Sequence, residues 1–490
     1  MRTHKSEALC ITVIGASGDL ARKKIFPALF SLYCQDLLPE AFSVFGFARS
    51  NLDDDAFRAL IGRHLTCRYT PGENVCAERM RSFLERCFYV TGQYDSRESF
   101  LDLYSRSREL MTADSVNRLF YMATPPSVFL DVARALGAAG LVHCGMSKPW
   151  SRVVIEKPFG RDRASSDELV REMGKVFREA QTFRIDHYLG KEVIQNLMVL
   201  RFANRAFEPL WNRNFIDSVQ ISWKEDLNVA GRGGYFDRYG IVRDVMQNHL
   251  LQILALVAME PASRLDAGHI CNEKIRVLRC IRPVTRQDIA LGQYVGSKWK
   301  GRREHGYLED EQVPDDSITP TFAAALLRVE NDRWRDVPFL IRAGKGLETR
   351  ETEIRLRFKP VDDGLFPAMP PHARNELVIR VQPDESIHLH VMTKVPGMGM
   401  KLKRTELNLS YQEQFDELIP DAYESLLVDV IRGDKSLFIR KDELAAAWNI
   451  FTPVLHELEQ RGERPEPYAF GSRGTAGADA LAARAGVSWE

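Results

Sequence analysis

The chain has 490 residues, of which 44% are apolar and 27% are charged, and these fractions are typical of a soluble globular protein. This length exceeds what one compact core accommodates and predicts two or three domains. Lysine plus arginine equals aspartate plus glutamate, at 67 each, so the overall charge favours neither nucleic acid nor an anionic membrane as a partner. Any binding site for an anion must therefore be formed locally.

The cysteines and the apolar stretches predict the compartment. The eight cysteines show no C-x-x-C pair and no metal-ligand spacing, so we expect no metal site and reduced cysteines that serve packing. The N-terminal apolar run is short and leads into a glycine turn, which is typical of a strand and not of a signal peptide. Residues 250–259 form the longest later apolar stretch, which is too short to span a bilayer. The sequence therefore predicts a cytoplasmic protein. Its cysteines are Cys10, Cys34, Cys67, Cys76, Cys87, Cys144, Cys271 and Cys280.

A strand, a glycine turn and a helix begin the first domain. Residues 8–14 are predicted as a buried strand, and the helix after the turn extends to about residue 35. Because the turn and the helix N-terminus direct backbone N–H groups at one point, they can hold a pyrophosphate. The G-x-x-G spacing alone is a weak signal, but a second strand at residues 42–47 completes a βαβ unit. The candidate cofactor-binding residues of the turn are Gly15, Ser17, Gly18, Asp19 and Leu20.

The residues that follow the second strand bear on which nicotinamide cofactor binds. NAD favours an aspartate or glutamate at this place, whereas this chain has Arg49 and Ser50. A guanidinium and a hydroxyl suit the 2′-phosphate of NADP. An arginine on a solvated loop is the alternative, and the arginine alone does not decide between the two. Together with the glycine turn it favours NADP over NAD.

Two further strands end at the same edge of the predicted parallel sheet. The strand at residues 119–123 is followed by Pro125 and Pro126, and prolines at the carboxyl end of a parallel strand mark a loop at the nucleotide-binding edge. The strand at residues 152–155 leads into Lys157, which is either an ion-pair partner of its neighbouring glutamate or a donor to the substrate; we favour the donor. Residues 1–183 are thus predicted to form an α/β Rossmann-like domain.

The segment at residues 184–192 carries more charged and polar groups than a segment that only fills a core. His187, Tyr188 and Lys191 supply three donors suited to a phosphate. Asp186 is placed to orient a histidine from elsewhere in the chain. A solvated surface loop is the alternative, but these residue types favour an anion-binding and catalytic segment. Arg184 has no evident chemical role and is expected to be structural.

From residue 184 onward, strands follow one another without a helix between each, which predicts an α+β domain over residues 184–490. Residues 242–258 form a long, mostly apolar helix that carries Asp244, Asn248 and His249 near its start. At about 100° per residue, Asp244 and Asn248 share a helix face and His249 lies about 140° from Asp244. A single histidine on an apolar helix is more often a core residue than a base. Residues 296–316 are predicted to form a solvated loop.

Several longer motifs occur in a fixed order along the chain. They are G-A-S-G-D-L-A at 15–21, E-K-P-F-G at 156–160, R-I-D-H-Y-L-G-K-E at 184–192, R-D-V-M-Q-N-H-L-L-Q at 243–252, R-A-G-K at 342–345, N-E-L-V-I-R-V-Q-P at 375–383 and F-G-S-R-G at 470–474. In these motifs the chain resembles the glucose-6-phosphate dehydrogenase family over nearly its whole length. The resemblance implies oxidation of glucose 6-phosphate at C1 to the lactone with NADP as hydride acceptor, the first step of the pentose phosphate pathway. It also implies a Rossmann-like domain, then a larger α+β domain with a broad, mostly antiparallel sheet through which dimers or tetramers form.

The resemblance also implies roles for individual residues. His249 becomes the general base and Asp186 its partner, which reverses the interpretation of His249 as a core residue. His187, Tyr188 and Lys191 hold the phosphate. The remaining substrate-binding positions carried over are the donors Lys157 and Lys345, the acceptors Glu192, Glu225 and Asp244, and the nearby Gln382.

Two alternatives to this function remain open at the level of sequence. One is a similar oxidoreductase that acts on unphosphorylated sugars or with NAD, and the other is a catalytically silent NADP-binding protein. The phosphate donors and Arg49 argue against the first, and the intact set of base, orienting carboxylate and phosphate donors argues against the second.

Some relatives bind a second, structural NADP in the C-terminal half. Arg355 and Arg380 match basic positions of that site, but Glu351 stands in place of a lysine, and His388 and His390 replace a tyrosine and a lysine. The chain also ends before the aromatic tail that those relatives use. We predict that a structural NADP is absent or weakly bound.

Overall fold

The computed structural model describes residues 8–69, 72–111, 113, 115–143, 149–361 and 374–489. The first seven residues and Cys144, which entered the predictions above, lie outside these ranges. Within them, no helix combines the length and the apolar character that crossing a membrane requires.

The N-terminal part of the chain folds around a six-stranded parallel sheet. Its strands are β1 (Ala8–Ile14), β2 (Phe42–Ala48), β3 (Cys87–Thr91), β4 (Val116–Met122), β5 (Ser151–Ile155) and β6 (Thr182–Arg184), in the spatial order β3-β2-β1-β4-β5-β6. All seven residues of β1 are buried, because helices cover both faces of such a sheet. The strand order reverses between β1 and β4, where a crevice opens at the carboxyl ends of the strands. This architecture confirms the predicted Rossmann-like domain.

Helices connect these strands. A π-helical turn, Ala21–Ile25, follows β1 and continues into α1 (Phe26–Cys34). The other helices of this part are α2 (Asp54–Gly62), α3 (Glu73–Leu84), α4 (Arg97–Leu110), α5 (Phe129–Ala138) and α6 (Arg163–Met173).

The rest of the chain contains a larger, mixed sheet that is mostly antiparallel. Its strands have the order β16-β15-β14-β13-β7-β12-β11-β8-β17, in which only the pairs β7–β12 and β8–β17 are parallel. They are β7 (Ile216–Lys224), β8 (Ile289–Val295), β11 (Phe322–Arg328), β12 (Pro338–Gly344), β13 (Glu351–Phe358), β14 (Glu376–Gln382), β15 (Ser386–Lys394), β16 (Leu402–Ser410) and β17 (Glu466–Ala469), while β9 (Ser297–Trp299) and β10 (Arg302–Glu304) form a separate hairpin. This sheet confirms the predicted α+β domain.

The helices of this part of the chain are α7 (Glu192–Phe202), α8 (Gly233–Ile241), α9 (Leu251–Ala258), α10 (Ala267–Cys280), α11 (Tyr411–Gln414), α12 (Ala422–Arg432), α13 (Lys441–Arg461) and α14 (Ala476–Arg484). They pack against the second sheet, as α7 and α14 do, or against other helices, as α12 and α13 do. The central helix predicted at residues 242–258 is present and buried, but its first half, Val242–Leu250, is a π-helix that continues into α9.

The π-helix changes the predicted geometry of the central helix. Its backbone bonds join residues five apart rather than four, so Asp244 and His249 fall on one face. The angle of about 140° expected for an α-helix is therefore wrong for this pair. Consistent with this closeness, His249 contributes to lowering the pKa of Asp244.

Two other predictions differ from the structure. Cys67 and Cys76 form a disulfide, with Cα atoms 5.8 Å apart, so the prediction of reduced cysteines is wrong for this pair. The bond closes the connection between α2 and α3, and a spacing of nine residues is not one that sequence patterns associate with pairing. The segment 296–316 is not a plain loop, since it holds the β9–β10 hairpin and the buried Tyr307, whose hydroxyl donates to Asp237 over 2.8 Å.

Candidate active site

A buried histidine–aspartate pair lies at the centre of the site. Nδ1 of His249, on the π-helix, lies 2.5 Å from Oδ1 of Asp186, in the turn after β6. Both side chains are almost fully buried, at 2% and 1% exposure. The backbone N–H of Tyr188 also donates to Oδ1 of Asp186, over 3.0 Å. Since a carboxylate only accepts hydrogen bonds, Nδ1 carries the proton and Nε2 of His249 keeps its lone pair.

Burial and charge set the protonation of this pair. Burial lowers the pKa of His249, and the Asp186 carboxylate offsets this effect only in part. Burial acts to raise the pKa of Asp186, but His249 beside it outweighs that effect and the pKa falls below its usual range. At neutral pH the pair is thus a carboxylate and a neutral imidazole, the state in which a histidine can accept a proton.

Aromatic rings pack around His249 on the side of the 184–192 segment. The His187 ring meets His249 edge-on, with centroids 4.7 Å apart, and the Tyr188 ring lies 4.5 Å from His249. The Tyr188 hydroxyl accepts from Trp223 Nε1 and lies 3.2 Å from Thr352 Oγ1. Because either of those two hydroxyls can donate to the other, the Tyr188 proton is available to a ligand whenever Thr352 donates.

Positive charge collects at the start of α7. Lys191 is the residue that precedes this helix, and burial lowers the pKa of its ammonium group. Lys24 and Arg350 lower the pKa of Lys191 further, while Glu385 and Asp421 oppose them. The sequence does not identify Lys24 and Arg350 as neighbours of Lys191, because both are far from Lys191 along the chain. Only the fold brings their charges toward it. Lys24 Nζ itself lies 3.2 Å from Asp421 Oδ2, so three cations and two carboxylates leave one net positive charge at this point, which favours an anion.

Two lysine–carboxylate pairs lie near His249. Lys157 Nζ donates to the backbone oxygen of Asp244 over 2.6 Å and lies 3.1 Å from its Oδ1. Lys345 Nζ donates to Glu225 Oε2 over 2.6 Å. Burial acts to raise the pKa of Asp244, but Lys157 and then Lys345 outweigh it and lower the pKa to about 2. Four of the predicted sugar-binding groups are therefore charged and already paired with one another.

Two other predicted substrate residues differ in their placement. Gln382 ends β14 and is paired in register with Thr352, the partner of the Tyr188 hydroxyl, so it lies beside the 184–192 segment. Glu192 does not join this group. It lines a groove along α7 with Gln195 and Asn196. The role of Glu192 as a sugar ligand stays a prediction.

Arg184 has the structural environment that the sequence predicted for it. Its guanidinium binds both carboxylate oxygens of Glu179, over 2.7 and 3.0 Å, and donates to the backbone oxygen of Ile439. The pair fixes the end of β6 and with it the segment that carries Asp186.

The crevice at the carboxyl ends of β1, β2 and β4 has the form of a dinucleotide site. Gly15 adopts a φ of +87°, and a Cβ atom there would lie 2.6 Å from the backbone oxygen of Ala123. Such a turn requires glycine and leaves room for a phosphate to approach the backbone. Thr124 Oγ1 is buried beside Gly15 without a hydrogen-bond partner in the described part of the chain. An orphaned hydroxyl next to this cradle fits a polar cofactor.

The remaining cofactor candidates line the same crevice. Ser17 Oγ lies 3.0 Å from Ser50 Oγ, which links the glycine turn to the end of β2. Arg49 is exposed, and its guanidinium lies 5.2 Å from the ring centre of Tyr94. The Asp19 carboxylate is paired with Lys23 over 2.8 Å. Leu20 caps the π-helical turn, and Pro125 precedes a short helical turn after β4.

One cluster also has the spacing of a metal site. Ligand atoms of Asp186, His187 and His249 lie within 4.8 Å of one another. Because the closest contact in the cluster is the Asp186–His249 hydrogen bond, an acid–base pair accounts for the arrangement without a metal.

The chain was compared with known proteins. The family model of the glucose-6-phosphate dehydrogenase NAD binding domain matches residues 12–196, and that of the C-terminal domain matches residues 198–490. The chloroplastic glucose-6-phosphate 1-dehydrogenase of Spinacia oleracea is 52% identical over 98% of this chain and 84% of its own length. A cytoplasmic form of Arabidopsis thaliana is 46% identical over 98% of this chain and 91% of its own. A solved glucose-6-phosphate dehydrogenase in complex with glucose-6-phosphate has a TM-score of 0.91 and 41% identity, with both chains fully covered.

These relatives correct one prediction. Five plant relatives named chloroplastic are 51% to 53% identical to this chain, whereas relatives named cytoplasmic are 46% identical. The predicted cytoplasmic location is therefore contradicted. That prediction rested on signals for secretion and membrane insertion, which do not report on import into a plastid.

Both family models match in order over nearly the whole chain, and the solved structure agrees with the fold over its full length. The chain belongs to the glucose-6-phosphate dehydrogenase family of oxidoreductases.

Proposed function

We propose that the protein oxidises D-glucose 6-phosphate at C1 to 6-phosphoglucono-1,5-lactone with NADP⁺ as hydride acceptor, as the first step of the pentose phosphate pathway. The observation that carries this proposal is the buried Asp186–His249 pair. The ring of His187, a candidate phosphate ligand, is in contact with the ring of His249. A base and an anion site at this separation suit a substrate with a reactive carbinol at one end and a phosphate at the other.

His249 acts as the general base. Its Nε2 accepts the proton of the C1 hydroxyl, and the Asp186 carboxylate stabilises the imidazolium that results. A bound NADP⁺ supplies the acceptor for the hydride that leaves C1 with its electron pair. Because the pair is shielded from solvent, the attraction between carboxylate and imidazolium is stronger than it is in water.

His187, Tyr188 and Lys191 hold the phosphate, together with the charges of Lys24 and Arg350. The phosphate does not react, so its binding energy goes into positioning C1 against His249. Donors from the anchored rings and from Lys191 approach the phosphate from different directions and fix its orientation.

The paired charges bind the sugar. Lys157 and Lys345 donate to sugar oxygens, while Asp244 and Glu225 accept from sugar hydroxyls; Gln382 contributes beside them. Each of these charges keeps a partner before and after binding, so the site avoids leaving a buried charge unpaired. The residues that would hold the cofactor are Gly15, Ser17, Gly18, Asp19, Leu20, Arg49, Ser50, Pro125 and Lys157.

The direct test is an absorbance assay at the reduced-nicotinamide band. Glucose 6-phosphate and glucose are each supplied with NADP⁺ and with NAD⁺. We expect rapid reduction with glucose 6-phosphate and NADP⁺ and much slower reduction with glucose. Equal rates with both sugars would favour the enzyme of unphosphorylated sugars instead, and the absence of reduction in all four mixtures would favour the silent binding protein.

Arg49 is proposed to select NADP. The substitution Arg49→Asp should weaken NADP⁺ binding at least about tenfold, since it replaces a cation beside the 2′-phosphate with an anion. NAD⁺ has no phosphate there, and its affinity should change little or rise. The measurement is the KM of each cofactor for the variant and for the control Arg97→Asp, an exposed arginine of α4 whose side chain bonds to the backbone of Ala138. A similar change in the KM of both cofactors would mean that Arg49 does not contact the 2′-phosphate.

Self-association is also proposed. Strand β16 is the last strand of the large sheet among the described residues, and Met400 and Leu407 on or beside it are 62% and 60% exposed. An edge strand with exposed apolar side chains favours association with another chain. The expected assemblies are dimers or tetramers, which sedimentation equilibrium would separate from a monomer.

A further inference from the structure

A buried carboxyl group behind the phosphate segment has no part in the mechanism above. Glu156 follows β5 directly and is only 7% exposed. The Tyr121 hydroxyl, from β4, donates to Glu156 Oε1 over 2.5 Å. The side chain of Tyr423, from the first turn of α12, also interacts with this carboxyl group, since Tyr423 lowers the pKa of Glu156 and Glu156 raises the pKa of Tyr423. Glu156 thus connects the parallel sheet to a helix of the second domain.

Tyr423 carries this connection to the phosphate site. Its ring is stacked on the His187 ring, with the planes 6° apart and the centroids separated by 6.1 Å. On its other side His187 meets the edge of His249. The plane of the His187 ring is therefore set by Tyr423 and His249 together.

The helix that bears Tyr423 is held closely against the phosphate segment. A Cβ atom on Gly190 would lie 2.5 Å from the backbone oxygen of Ala422, so only glycine allows this approach. With the start of α12 fixed in this way, the hydroxyl of Tyr423 is the group that sets how its ring is turned, and Glu156 holds that hydroxyl.

We propose that Glu156 and Tyr423 are positioning residues for His187: the carboxyl group holds the tyrosine hydroxyl, and the tyrosine ring holds the imidazole in the orientation that binds phosphate. The proposal rests on the proposed function, since it assigns the origin of the phosphate preference. Neither residue is required to touch the reacting atoms.

The same arrangement couples phosphate binding to a proton. Burial raises the pKa of Glu156 to about 7, although Tyr121, Lys157 and Tyr423 lower it, and Asp186 adds to the rise. Tyr235 of α8 also faces this charge. A phosphate dianion bound at His187 would be separated from Glu156 by the Tyr423 ring. Its negative charge raises the pKa of Glu156 further. Binding then takes up a proton, so affinity for the phosphate falls as the pH rises through about 7.

The first experiment removes the hydroxyl link and keeps the ring. Tyr423→Phe should raise the KM for glucose 6-phosphate about fivefold or more, because a hydrogen bond to a buried carboxyl group is lost, while kcat and the KM for glucose stay within twofold. Tyr69→Phe is the matched control, since Tyr69 donates to Glu424 over 2.8 Å and thus anchors the same helix without reaching His187. An equal rise in both variants, or an equal rise for both sugars, would overturn the proposal and reduce Tyr423 to a helix anchor.

The second experiment tests the proton. The KM for glucose 6-phosphate is measured from pH 7 to 8.5, above the second ionisation of a phosphate monoester near about 6. We expect it to rise with pH in the wild-type protein and to be flat in Glu156→Gln, which keeps the shape and cannot ionise. The same slope in both proteins would overturn the coupling. Both experiments require the wild-type protein to reduce NADP⁺ with glucose 6-phosphate, so failure of that activity would count against the proposed function and not against Glu156.

Discussion

Replacing His249 with asparagine should lower kcat by about 10² to 10⁴-fold while the substrate still binds. Asparagine keeps much of the volume of the imidazole but cannot accept the proton of the C1 hydroxyl. The phosphate donors and the lysine–carboxylate pairs remain, so KM should change far less than kcat. Steady-state kinetics with glucose 6-phosphate and NADP⁺ measure both parameters.

A matched control for this substitution exists on α10. His269 also forms a histidine–aspartate pair, with Nδ1 2.8 Å from Oδ1 of Asp266, the N-cap residue of α10, but its side chain is 40% exposed. His269→Asn should leave kcat unchanged within twofold. A kcat of His249→Asn close to that of the wild-type protein would show that His249 is not the general base.

The pH dependence of kcat should report the same group. Burial lowers the pKa of His249, so the imidazole stays neutral, and competent as a base, to a lower pH than an exposed histidine. We expect kcat to be level between pH 7 and 9 and to fall as the pH drops through this lowered pKa. The fall should be absent from the residual activity of His249→Asn.

Replacing Lys191 with alanine should raise the KM for glucose 6-phosphate by about 100-fold, the loss expected when one partner of a partly buried charge-assisted contact is removed. Glucose has no phosphate, so its KM should change by less than about threefold. The measurement is the ratio of the change in KM for glucose 6-phosphate to the change in KM for glucose. A general disturbance of the site would affect both KM values and would cancel in this ratio.

The control for Lys191 is Lys175→Ala, whose ammonium pairs with Glu172 on the surface over 2.7 Å. A surface pair of this kind contributes little to stability or binding, so this variant should behave as the wild-type protein does. An equal rise in KM for both sugars in Lys191→Ala would mean that Lys191 does not contact the phosphate.

The sequence predicted the framework of the fold because local patterns carry it. The strand β1 was predicted with the bounds that the structure has, since a strand buried on both faces reads as a continuous apolar run. The second domain was recognised because its strands follow one another without intervening helices. The disulfide and the β9–β10 hairpin escaped prediction, because a nine-residue cysteine spacing and a charged hairpin resemble ordinary surface sequence.

The site was predictable only as far as its chemistry is local. The segment around Asp186 revealed itself by its density of polar groups, but its pairing with His249 needed the family resemblance, since 63 residues separate the two. The sequence does not show that Glu192 begins α7 and lines a groove along that helix, so its role toward the sugar stays a prediction. Lys24 and Arg350 became visible only when the fold brought their charges toward Lys191.

The π-helix at residues 242–250 makes the type of helix and the number of residues between two groups of this site depend on each other. Each backbone hydrogen bond of a π-helix spans one residue more than a hydrogen bond of an α-helix. This extra residue aligns Asp244 with His249. If one residue between them were deleted, Asp244 and His249 would be four residues apart, which is the spacing at which an ordinary α-helix also places two side chains on one face. A related sequence with one residue fewer between the two groups is therefore expected to keep their alignment only if its helix is an ordinary α-helix at this point.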